Sequence, residues 1–153
     1  MRSSDIDVHD TADDHLRRCG QRYTANRRSL VDALVVAAGP VTVVDLLESI
    51  DGMAQSSAYR NLAVLEEAGV VHRLVTDDDT ARFELAEHLT GHHHHLICAG
   101  CGAVVDIDVP SRIEDDVRAL SATVAEAHGF RVDHHRLDLV GTCSTCSARG
   151  ASA

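Results

Sequence analysis

The sequence predicts an α+β chain in two parts, and three observations predict it. Residues 26–68 carry three short stretches of helical periodicity that run directly into a strand, an Asp-rich turn and a second strand. Residues 92–140 place one long amphipathic helix among strand patterns. The second half also concentrates the histidines and cysteines, nine of the eleven His and four of the five Cys lying from His72 onward.

Residues 1–14 hold five aspartates and one arginine and read as a disordered acidic tail. From Asn26, Leu30, Ala33, Leu34 and Ala37 share a helical face, and Gly39-Pro40 stops that helix. Thr42 is placed to cap a second helix carrying Val43, Val44, Leu46, Leu47 and Ile50, ended by Asp51-Gly52. A third helix spans Ala54 to Ala68, with Ala58, Leu62 and Leu65 as its apolar stripe and Gly69 as its stop. Strands at 70–75 and 81–85 flank a turn at 76–80. Three helices and a β-hairpin make a winged helix-turn-helix, whose third helix enters the major groove. The early exposed positions of that helix are Gln55, Ser56, Ser57, Tyr59 and Arg60, side chains able to donate to phosphates and base edges.

Charge supports the same reading once it is resolved along the chain. The total is −10, which alone argues against nucleic acid. Residues 15–31, however, contain Arg17, Arg18, Arg22, Arg27 and Arg28 and no acid. These arginines are expected to neutralise phosphates, and binding should then be strongly salt-dependent. With 44% hydrophobic and 25% charged residues, the composition is that of a folded globular protein. No apolar run approaches the ~20 residues of a membrane span, and the N-terminus lacks a signal-peptide core, so a cytoplasmic protein without a membrane partner is expected.

A linker at 86–91 leads to a possible strand, His92 to Cys98, and a clearer one, Ala103 to Val109. Pro110 suits the first turn of a helix running to about His128, with Ile113, Val117, Leu120 and Val124 on one face and Gly129 at its end. Phe130 to Val140 alternates as a last strand. The division expected is a tail at 1–14, a winged-helix domain at 15–86, a hinge at 87–91, a metal-binding domain at 92–146 and a tail at 147–153.

Cys98, Cys101, Cys143 and Cys146 form two CxxC pairs in a chain without a secretion signal. Each pair can present two thiolates to one ion, so the tetrad reads as a structural zinc site. The internal run His92-His93-His94-His95 has a second consequence. On a strand, His92 and His94 face one side and His93 and His95 the other, so one run can seed two sites. Glu84, Glu87, His88, Asp106, Glu114, His135 and His72 are the candidate partners, a mixture of imidazole and carboxylate that suits Zn, Fe, Ni or Mn.

HHHHLICxxCG, following Tyr59-Arg60-Asn61-Leu62 and preceding Cys143-x-x-Cys146, resembles the ferric uptake regulator superfamily over Leu16 to Cys146. The resemblance implies a homodimeric, metal-responsive repressor with an N-terminal winged helix and a C-terminal α/β dimerisation domain. It matches the cysteines to the structural zinc site. It completes the His92/His94 site with Glu114 and His135. It makes His93 and His95 part of a sensory site bridging the domains. In the zinc-sensing branch a further ligand follows the recognition helix in a Gly-x-x-ligand pattern, here His72. Another precedes the histidine run, here His88 or Glu87, while iron sensors use a carboxylate at the position of Glu84, and Asp106 is a further alternative. Iron, nickel and peroxide sensors usually place a histidine near the start of the second helix, where this chain reads Ala38-Gly39-Pro40-Val41-Thr42. Zinc sensing, with zinc both structural and regulatory, is therefore the expectation; regulatory Fe²⁺, Mn²⁺ or Ni²⁺ is the alternative. Operator DNA and a second copy of the chain are the expected partners, with no small organic substrate. The chain has no HExxH and its second half is small for a substrate cleft, so an enzyme is not expected; a zinc hydrolase or a metal store is the competing class.

Overall fold

The structure, a computed structural model, describes residues 7–76 and 79–150. They divide into two units between His92 and His93. Among the described residues, no helix is long and apolar enough to cross a membrane.

The first unit opens with α1 (Val8–Arg18). The expectation of a disordered tail to residue 14 is corrected here, residues 1–6 lying outside the described ones. Asp7 caps α1 by accepting from the backbone N–H groups of His9 and Asp10, at 2.9 and 3.3 Å. Ala12 and Leu16 are fully buried. An Asp13–Arg17 pair at 2.6 Å joins successive turns. Only two of its residues are fully buried, too few to show in the sequence against the five aspartates of residues 1–14.

The next elements are α2 (Ala25–Ala37), a two-residue β1 (Val41–Thr42) and α3 (Val43–Glu48). Thr24 caps α2. Thr42 and Asp45 form a reciprocal capping box on α3, which satisfies two donors left open by the helix start. Then come α4 (Gln55–Glu67), β2 (Val71–Val75) and β3 (Ala81–Leu85). The three strands pair antiparallel in the order β1-β3-β2, with Val41 opposite Phe83 and His72 opposite Glu84. Gly69, at φ +72°, supplies the left-handed turn that takes the chain from α4 into β2. Leu16, Leu30, Val31, Leu46, Leu62, Leu65, Val70 and Phe83 make one apolar core. Full burial of each leucine stabilises the unit by about 1.5–3 kcal/mol before chain entropy is counted.

The expected hinge at 87–91 is instead α5 (Glu87–Thr90). Leu89 is buried in the first unit's core, so the segment belongs to that unit and the division falls later than expected.

The second unit contains β4 (His94–Cys98), β5 (Val104–Ile107), α6 (Ser111–His128), β6 (Asp138–Gly141) and α7 (Ser144–Gly150). β4 is central, antiparallel to β5 and parallel to β6. The last strand is shorter than its alternating pattern suggests. Its only partner, β4, pairs with residues 138–141, and residues 130–137 have no ladder to join. The expected tail at 147–153 is corrected too: α7 runs to Gly150, and residues 151–153 lie outside the described ones.

This unit has an unusual interior. His94 and His95 are 2% and 5% exposed, as buried as Ile97 and Cys98 beside them. None of the eighteen residues of α6 is buried. Polar ligand groups occupy the place where aliphatic side chains would normally form a core, which suits a small domain stapled by metal.

Candidate metal centres and nucleic-acid interface

Three groups of donors converge in the second unit. The sulfurs of Cys98, Cys101, Cys143 and Cys146 lie within 4.8 Å of one another. Cys98 ends β4, and its register partner Gly141 ends β6, so the sheet brings the two CxxC knuckles together. The Cys143 N–H donates to Cys98 Sγ at 3.2 Å and the Cys146 N–H to Cys143 Sγ at 3.5 Å. These backbone donors favour thiolate at Cys98, whose thiol is lowered to about 6, the Cys143 N–H being the largest cause. Cys146 is pushed up to about 12 by sharing hydrogens with Cys143 and Cys101. Crowded thiols that oppose each other's ionisation are relieved by a divalent cation. Gly100 makes the knuckle possible: a Cβ there would meet Cys146 Sγ at 3.0 Å. The residues fit a tetrahedral thiolate-bound ion.

The second group is His94, Glu114 and His135, again with donor atoms within 4.8 Å. His94 Nε2 contacts Glu114 Oε1, and His135 Nε2 lies 3.2 Å from Glu114 Oε2. Glu114 sits in the first turn of α6, just after Pro110. The expectation of a strand at His135 is corrected: the residue lies in the irregular segment before β6 and still reaches Glu114. His92, the last residue of the first unit, pairs with Glu87 at 3.1 Å.

The third group is His93, His95 and Asp106. The two rings meet edge to face at 5.2 Å. Asp106 is the cross-strand partner of His95 on β5, its Oδ1 3.9 Å from Nε2. On the other side, His95 Nδ1 lies 3.1 Å from Oδ1 of Asp138, its register partner on β6, and Arg136 holds Asp138 Oδ2 at 3.3 Å. A carboxylate at Nδ1 leaves Nε2 as the nitrogen that faces a metal. Asp138 escapes sequence reasoning, because nothing local marks an aspartate as the register partner of a histidine more than forty residues away.

The remaining sensory candidates belong to the first unit. Glu84 is buried on β3, opposite His72 on β2. The ring of His88 stacks on His15 at 4.6 Å, and His15 Nδ1 meets the Ala68 carbonyl at 3.0 Å. Burial, and then the His15 imidazole, lower the pKa of His88. The expected sensory candidate His88 is thus placed on α5 with its ring against His15.

The nucleic-acid candidates sort by exposure. Gln55, Ser56, Tyr59 and Arg60 stand on the outer face of α4, opposite the buried Ala58, Leu62 and Leu65. Ser57 is half-buried. Arg18 and Arg22 are exposed, and Arg17 is exposed while paired with Asp13. Arg28 lies over the Tyr23 ring, 4.9 Å from its centroid. Arg27 is half-buried, with its guanidinium turned inward.

Residues 18–140 match the model of the ferric uptake regulator family. The chain belongs to the ferric uptake regulator family. It is 35% identical to the peroxide operon regulator of Bacillus subtilis over 138 residues, covering 88% of this chain and 90% of that protein. The Helicobacter pylori ferric uptake regulator shares its fold at a TM-score of 0.73, with 20% identity over 96% of this chain and 97% of that one. A zinc-bound manganese uptake regulator matches at a TM-score of 0.60 and 30% identity, over 87% of this chain and 98% of that one. This ferric uptake regulator family member is a metal-responsive regulator with the family's winged-helix and α/β architecture.

Proposed function

We propose that the chain is a cytoplasmic transcriptional repressor that binds operator DNA as a homodimer when its sensory site is loaded with Fe²⁺ or Mn²⁺. The observation that carries the sensory site is its donor set. His93 and His95 are joined by the carboxylate of Asp106. Two imidazoles and a carboxylate oxygen, with no thiolate, suit Fe²⁺, Mn²⁺, Ni²⁺ and Zn²⁺ alike, and the 30% identity to a manganese uptake regulator weighs toward Fe²⁺ or Mn²⁺. Glu84, a buried carboxylate on β3, is kept as an alternative sensory ligand. The zinc-sensing expectation rests on the missing histidine at 38–42 and on His72, with His88 or Glu87 as a further ligand, and it stays the competing reading. Zinc is proposed for the four cysteines, and His94, Glu114 and His135 are proposed to form a further site within the dimerisation unit.

DNA binding is assigned to the outer face of α4, with Arg17, Arg18 and Arg22 supplying phosphate contacts. Exposed apolar residues in the second unit, Leu120 and Val124 on α6 and Leu139 and Val140 on β6, support a second copy of the chain as the dimer partner.

Anisotropy of a labelled duplex tests this reading, the duplex being selected from a random pool on the zinc-replete protein under each metal. Tight binding restored by buffered Fe²⁺ or Mn²⁺, and lost in His93→Ala and Asp106→Ala, is the expected result. Restoration by scarce Zn²⁺ alone, insensitive to Asp106→Ala, would return the sensor to the zinc branch. The likeness to the Bacillus subtilis peroxide operon regulator adds one arm: the Fe²⁺-loaded form, but not the Mn²⁺-loaded form, should lose DNA binding on treatment with peroxide.

A further inference from the structure

The arginines of residues 15–31 are alike in sequence, but one of them is spent inside the fold. Arg27 Nε donates to Asn61 Oδ1 at 3.1 Å, Nη2 to Gln21 Oε1 at 3.3 Å, and Nη1 to the carbonyl of Arg22. Asn61 Nδ2 donates onward to the Ser57 carbonyl at 2.9 Å and lies 3.3 Å from Ser57 Oγ. The network runs from the loop after α1, through Arg27 on α2, to the first turns of α4.

That placement matters because it adds a directional polar bond to the apolar packing that seats α4. Its inner face is apolar, with Ala58, Leu62 and Leu65 buried, and this packing sets which face points outward. Ala54 at its N-cap makes no side-chain capping bond. The Arg27–Asn61 bond is directional, and it is set by a planar fork that lysine cannot reproduce.

We propose that Arg27 is a positioning residue, which sets the rotation at which the outer face of α4 meets the bases, and that it is not one of the arginines neutralising phosphates. The proposal rests on the DNA-binding reading above.

The test uses the full metal-loaded protein, the selected duplex and a scrambled duplex of equal length, over a range of salt. The variants are Arg27→Lys, Arg27→Gln, Asn61→Ala and the Arg27→Lys/Asn61→Ala double. Arg27→Lys and Asn61→Ala should each weaken binding to the selected duplex by roughly tenfold while leaving the scrambled duplex unchanged. The double variant should lose no more than either single one. Arg27→Gln should leave the slope of log K against log salt as it is in the wild type. A slope reduced by about 1.8 on both duplexes, ~0.9 for each protomer, would make Arg27 a phosphate contact and overturn the proposal. Equal loss on both duplexes would make the network merely structural and overturn it as well. Should the Arg27 variants fail to fold, Asn61→Ala, which changes no charge, carries the comparison of duplexes alone. A wild-type protein with no preference for the selected duplex would overturn the DNA-binding reading before any variant is measured.

Discussion

At the scale of single residues, the sites are legible where spacing is local and illegible where a sheet register creates them. The four cysteines announce themselves by CxxC spacing, and the histidine run by its alternation. Asp138 does not, yet it holds Nδ1 of His95 while Arg136 holds Asp138 in turn. Such a partner fixes the tautomer and the orientation of a ligand, and its loss typically costs 10–100-fold in metal affinity. Asp138→Asn should therefore weaken regulatory metal binding about 10–100-fold in a competition titration while the thiolate-bound zinc is retained. Unchanged affinity would mean that Asp138 serves only the strand. His88 supplies a second prediction. Its pKa is lowered in the fold, so just below the ordinary value of ~6.5 the unfolded chain carries the proton and the folded one does not. Stability rises with pH wherever the unfolded state binds more protons, so the contribution of His88 is lost as pH falls through that window. The urea midpoint of the first unit should drop as pH falls below about 6.5, and His88→Gln should flatten that drop. An unaltered profile would place the pH dependence on other groups.

At the scale of elements, the first unit is well marked in the sequence because its caps and stops are chemical. Thr42, Gly39-Pro40 and Gly69 each stand at an observed boundary, and the expected span of α4 agrees with the observed one to within a residue at each end. What escapes is tertiary in origin. α1 is held by two buried residues, β1 is two residues long, and residues 130–137 alternate without a partner strand. α6 shows the same limit from the other side. Its apolar stripe reads as a core face, yet none of its residues is buried, and Glu114 ties its first turn to His94 and His135. A lone helix of this length is marginal in water. Stripping metal with a strong chelator should thus collapse the hydrogen-exchange protection of α6 and dissociate the dimer. The amides of α2 and α4, resting on the aliphatic core, should stay protected. Equal loss in both units would show that the first unit depends on the second for its stability.

At the scale of the whole molecule, the two units hold complementary halves of one device. The first has an aliphatic core and an arginine-bearing stretch, and the second has ligand groups where a core should be. A protein of net charge −10 approaches DNA against its own field, so binding depends on local arginines and on each divalent ion that offsets the acids. If loading of the sensory site favours the DNA-binding form, metal and DNA are linked ligands of one equilibrium. A factor by which metal raises operator affinity must then be the factor by which operator raises metal affinity, typically 5–150-fold for couplings of about 1–3 kcal/mol. Titrating Mn²⁺ into the zinc-replete dimer, with and without saturating operator, measures the second factor; titrating operator with and without Mn²⁺ measures the first. The two should agree within error and should fall together toward unity in Glu84→Ala. A Glu84→Ala protein that binds Mn²⁺ more weakly but keeps the full coupling would show that the carboxylate contributes affinity alone, and that the ion acts on DNA binding from within the second unit.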